Sequence, residues 1–107
     1  MTAAKLTSML AETVMGWRSS PDRFLLGDRQ WISRTQFQPL TRIQDAFRLL
    51  QTADSTFSLV KTARGVFTAT VRIREQEGSA SGEPAAAISV AVARAIGVEA
   101  DLSEEQI

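Results

Sequence analysis

The sequence predicts an α+β fold, a single-domain α/β sandwich in the order α-β-β-α-β-β-α with an antiparallel sheet covered by helices. Three observations carry this expectation. The stretch Ser55 to Arg74, STFSLVKTARGVFTATVRIR, alternates apolar and polar side chains as the two arms of a hairpin do. Apolar residues at helical spacing precede it twice, from Leu6 to Trp17 and from Ile43 to Leu50, and return after Pro84. A chain of 107 residues, 44% of them apolar, has enough material for one modest core.

Residues 2 to 17 read as an amphipathic helix, with Thr2 as N-cap and Leu6, Met9, Leu10, Thr13, Val14 and Trp17 on one face. Gly16 lies where a helix stops without a Cβ penalty, and Trp17 leaves it as a large core anchor. Ser19-Ser20-Pro21-Asp22 is turn chemistry. Arg23 to Leu26 and Gln30 to Ser33 flank Gly27-Asp28 as a second, smaller hairpin. Arg34 to Leu40 is expected to be a surface connection pinned by Phe37. Thr41-Arg42-Ile43-Gln44 has the spacing of a capping box, opening a helix to about Ala53 that turns Ile43, Ala46, Phe47 and Leu50 to the sheet.

The register of the main hairpin follows from its apolar pattern. Phe67, Ala69, Val71 and Ile73 share one face of the second arm, and Phe57 and Leu59 are the natural core residues of the first. A two-residue Arg64-Gly65 loop would pair Val71 with Ser58 and turn Phe57 and Leu59 to the polar side. A three-residue loop, Ala63-Arg64-Gly65, pairs Leu59 with Ala69 and Phe57 with Val71, and gives Gly65 the positive φ of a turn with a bulge. A one-residue slip flips every side chain, so the pattern selects the three-residue loop.

Glu75 to Glu83, EQEGSASGE, has the composition of a mobile loop. Pro84 suits the first turn of a last helix, in which Ile88, Ala91, Val92, Ala95 and Ile96 form the apolar stripe. Gly97 closes it, with Val98 as its hydrophobic partner. Residues 1–98 are thus expected to form the domain. Residues 99–107, with four acids and two large apolar side chains, are expected to form a mobile acidic tail.

Composition excludes several chemistries. There is no Cys and no His, which removes disulfides, thiolate metal sites, cysteine nucleophiles and the commonest general base. No apolar run reaches the roughly 20 residues of a membrane span, and Met1 to Leu10 lacks a signal-peptide core, so a cytoplasmic protein is expected. The net charge is zero but unevenly placed: twelve basic against eight acidic residues leave +4 on residues 1–98. Between positions 18 and 48 stand six arginines, Arg18, Arg23, Arg29, Arg34, Arg42 and Arg48, against three Asp. They are the candidate partner-binding residues, either for an acidic protein or, as the competing expectation, for nucleic acid.

The order of these features resembles a known family. A helix ending Val14-Met15-Gly16-Trp17 is followed by Trp31, and Phe37-Gln38-Pro39-Leu40-Thr41 then opens a helix containing Ala46. A hairpin follows, and Pro84-Ala85-Ala86-Ala87-Ile88 begins a closing helix with Arg94-Ala95. The arrangement is similar to the phage ABA-sandwich domain proteins, small phage and prophage products mostly without assigned function. The family's closing helix often carries a Cys beside the Arg, where this chain has Ala93. The resemblance implies a mixed α/β sandwich and a phage-encoded accessory role, and it transfers no catalytic residue. A concrete form of the expected role is an inhibitor of a host defence system whose basic surface from Arg18 to Arg48 meets an acidic partner.

Other chemistry is weaker. Asp22 and Asp28 sit in turn contexts beside Arg, where solvated turn residues are the simpler reading. Glu75 and Glu77 fall in the segment read as mobile, a poor place for a preorganised site. Gly78-Ser79-Ala80-Ser81-Gly82 lacks the Gly-Lys-Ser/Thr of a phosphate loop, with Pro84-Ala85 at the helix start instead. Trp17 and Trp31 are read as core or staple residues before stacking platforms. A non-enzymatic protein without cofactor is therefore expected, and open sheet edges make self-association an expectation as well.

Overall fold

The Ala- and Val-rich segment after Pro84 becomes the centre of the molecule. In the computed structural model, which describes residues 2–27 and 29–98, it forms α3 (Pro84–Ala95), with Arg94 as its one exposed residue. A helix that is apolar on all sides belongs in a core. Around it stand α1 (Ala3–Leu10), β1 (Arg18–Ser19), β2 (Arg23–Leu25), β3 (Trp31–Ser33), α2 (Ile43–Thr52), β4 (Thr56–Ala63), β5 (Val66–Ile73) and β6 (Gln76–Gly82). The strands form two antiparallel three-stranded sheets, β1-β2-β3 and β4-β5-β6, and α3 packs on β5, β6 and α2. The fold is the expected α+β arrangement of helix, strands, helix, strands, helix, but each expected hairpin gains a third strand and the strands form two separate sheets where one was expected.

The added strand of the larger sheet corrects the reading of Glu75 to Glu83 as a loop. Gln76–Gly82 pairs along β5, Val71 with Gly78 and Ala69 with Ala80. Gly78 and Ala80 are buried while Glu77, Ser79 and Ser81 face out, so the period-2 alternation is present with its inward face reduced to the smallest side chains. The reason is contact with α3. A Cβ on Gly78 would meet the Ala91 carbonyl and the Ala95 amide, and would lie 2.8 Å from Arg94 Cβ. Helix and strand approach so closely that only glycine fits.

The hairpin register is the expected one. Phe57 pairs with Val71 and Leu59 with Ala69, the ladder shifts by one residue between Lys61 and Ala63, and Gly65 has φ +70°. Ala69 and Val71 are buried, but Leu59, Phe67 and Ile73 are only half-buried and Phe57 is 47% exposed. Phe57 faces the expected side from an edge strand and meets Phe47 of α2 with ring centroids 5.9 Å apart. Phe47 is itself exposed, and Leu49 takes the core position expected of it.

Other local departures have physical causes. The first helix keeps Thr2 as its N-cap, bonded to the Lys5 amide at 2.9 Å. It then widens into a π-helical turn, Ala11–Met15, ended by Gly16 at φ +74°. The wider turn rotates the stripe, so Leu6, Leu10 and Ala11 are buried while Thr13 is exposed. The expected capping box at Thr41 is absent. Its hydroxyl turns back to Gln38, and the Asp45 carboxylate instead accepts the Gln38 amide at 2.8 Å. A capping box forms earlier, where Ser33 and Gln36 close the 3₁₀ turn Arg34–Gln36. The connection after it is no surface strip, since Phe37, Pro39 and Leu40 are all buried.

At its end α3 stops as expected. The Gly97 amide donates to the Arg94 carbonyl at 3.1 Å and the Val98 amide to the Ala93 carbonyl at 2.9 Å, with Gly97 at φ +88°. The tail expected at 99–107 lies outside the described residues. Among the described residues no helix is long and apolar enough to cross a membrane.

Candidate interaction surface

Strand alternation in the small sheet sorts its residues onto two faces. Phe24 pairs with Ser19 and Ile32 on the inner face, and Phe24 is fully buried. Leu25 pairs with Arg18 on one side and Trp31 on the other, so these three share the outer face with Arg23 and Ser33. Trp31 is 55% exposed and Leu25 is exposed beside it. The Arg23 guanidinium lies 4.9 Å from the Trp31 ring centroid, a diagonal cross-strand contact. Arg23 also donates to both carboxylate oxygens of Asp22 at 3.4 Å, which holds that carboxyl below the ordinary range. Arg18 and Arg29 are exposed, the latter in the β2–β3 connection.

The six arginines therefore divide. Arg18, Arg23 and Arg29 belong to the small sheet and its turn, and Arg42 is exposed just before α2. Arg34 is turned inward: Nε donates to the Ser20 carbonyl at 2.8 Å, Nη2 to Ser8 Oγ at 2.7 Å, and its guanidinium sits 4.7 Å from the Phe24 ring. Arg48 lies 3.8 Å from Asp45, 5.4 Å from the Trp17 ring and 5.7 Å from the Phe37 ring. These two cap an aromatic cluster in which Phe37 meets Trp17 at 5.0 Å and Phe24 at 5.8 Å. Trp17 is the half-buried anchor expected of it, whereas Trp31, read from the sequence as a core or staple residue, stands on the surface. The signal for that lay in the alternation of Trp31-Ile32-Ser33, whose inward member is Ile32.

Two clefts lie elsewhere. One of about 490 Å³ opens where the π-helical turn, the ends of α2 and α3 and the β5–β6 turn meet, and among the described residues Arg74 is the ionisable group in its lining. One of about 320 Å³ runs beside α1, with Arg34 in the same position. Among the described residues neither lining contains a carboxylate.

Neither a protein-family model nor a curated protein matches the chain. Among solved structures it is similar to a phage protein from Bacillus cereus ATCC 14579, with a TM-score of 0.79 at 14% identity, over 94% of this chain and 93% of that one. That likeness establishes the fold over nearly the full length of both chains.

Proposed function

We propose that this chain is a non-enzymatic phage accessory protein that acts through contact with an acidic partner protein, and that the outer face of the small sheet makes the contact. The observation that carries this reading is Trp31, exposed between Leu25 and the Arg23 guanidinium. Exposed Trp and Arg beside an aliphatic residue is the composition from which binding hot spots are built. Leu25 and Trp31 are cross-strand partners and both exposed, and a contiguous apolar patch edged by charged groups is the kind that marks a contact site. The phage context is supported by the shared fold with the Bacillus cereus phage protein. Inhibition of a host defence component is the concrete form we favour, since such an inhibitor needs a contact surface and no catalytic group.

Nucleic-acid binding by the same face is the competing reading, because an aromatic ring beside arginines is also a stacking platform. Arg34 and Arg48 are engaged with aromatic rings, which leaves fewer cations for phosphates. Titration with labelled single- and double-stranded DNA and RNA across salt separates the two. Each phosphate neutralised on duplex DNA adds about −0.9 to the slope of log K against log salt. We expect weak binding with a shallow slope; tight binding with a steep slope, lost in Trp31→Ala, would favour nucleic acid.

A further inference from the structure

We propose that two copies of this chain associate through β4, pairing antiparallel about a two-fold axis and doubling the larger sheet. The two edges of that sheet are unlike. At β6 the Arg94 guanidinium donates to the Ser79 carbonyl at 2.7 Å, so a side chain already covers part of the edge backbone. At β4 no side chain bonds to the backbone of residues 56–63 among the described residues, and every residue but Leu59 is exposed. Protected edges carry a proline, a central bulge or an inward charge. Here the bulge and the one charge on the helix-facing side, Lys61, both lie toward the far end of the strand, and Thr56 to Val60 carries no proline, bulge or charge. The strand instead exposes Phe57 and Val60, with Phe47 packed beside Phe57.

Charge selects a second copy as the occupant. Exposed Asp54 precedes the strand, while Lys61 and Arg64, both exposed, stand at its other end. Antiparallel pairing of identical strands brings the acidic start of each beside the basic end of the other, twice by symmetry. Side-chain pattern then selects the register. A two-fold axis at Ser58 sets Phe57 opposite Leu59 of the second copy on the helix-facing side, and Val60 opposite Thr56 on the outer side. An axis at Leu59 would set Phe57 against Lys61, so the Ser58 register buries more apolar surface. This interface uses none of the small-sheet residues, and the two proposals stand or fall separately.

Sedimentation equilibrium of the full chain, joined to amide hydrogen exchange at several concentrations, tests it. We expect a dimer at micromolar concentration, with exchange in Thr56 to Lys61 slowing as concentration rises. Phe57→Lys should weaken association about tenfold or more by placing a charge in the seam. Lys61→Glu should weaken it too, and Asp54→Lys in the same chain should restore it. Trp31→Ala should leave it unchanged. Phe57 is half-exposed and a melting curve checks its variant; should that variant not fold, the charge swap at the exposed pair decides. A monomer up to high micromolar concentration overturns the proposal. So does a dimer indifferent to the Lys61 and Asp54 changes, or one lost in Trp31→Ala.

Discussion

The Ser89 hydroxyl donates to the Pro39 carbonyl at 2.6 Å, a fully buried bond between residues fifty apart in the chain. It is the one polar side chain facing inward on α3, and it fixes that helix to the segment leading into α2. Ser89→Ala leaves the buried carbonyl without this partner, and denaturant unfolding should show a loss of about 1–3 kcal/mol. A loss near zero would mean that water reaches Pro39.

Gly78→Ala should destabilise by about 1–3 kcal/mol or more, because the added methyl meets the backbone of α3 on one side and Arg94 Cβ on the other. Gly27→Ala is the control, since nothing lies within 4 Å of a Cβ there. Equal melting temperatures for the two variants would contradict the close strand–helix approach.

Phenylalanines should separate by burial. Phe37→Ala removes a ring fully enclosed by Trp17 and Phe24 and should cost about 3–5 kcal/mol. Phe67→Ala, on the half-buried end of β5, should cost clearly less. The reverse order in urea unfolding would place the aromatic core in the larger sheet.

Arginine substitutions should separate in the same way. Arg34→Ala breaks bonds to Ser8 and Ser20 and should cost about 1.5–3 kcal/mol, the range for hydrogen bonds to charged groups. Arg18→Glu, on an exposed strand, should stay within about 0.5 kcal/mol of the parent. A stable Arg34→Ala would return that residue to the candidate surface.

The sequence made the architecture legible where side chains were large enough to show a period. Phe67, Ala69, Val71 and Ile73 set the hairpin register, and Pro84 and Gly97 bounded the last helix. β6 was hidden because its inward residues, Gly78 and Ala80, carry almost no hydrophobicity, so a strand under a close helix has the composition of a linker. The same closeness explains why α3 is the centre and not a cover. Short strands limited the reading of the candidate site. The run 31–33 is too brief for its alternation to outweigh the prior that Trp is buried, and the inward turn of Arg34 and Arg48 depends on rings far away in sequence.

Whether the outer face of the small sheet binds a protein is decided by affinity capture with the full chain, run beside a Trp31→Ala/Arg23→Glu variant and repeated after nuclease treatment. Both substitutions lie on an exposed face, so the variant should melt with the parent. Host proteins should be retained by the parent, with or without nuclease, and lost from the variant. Identical proteins on both, or a set that disappears once nucleic acid is digested, would contradict it.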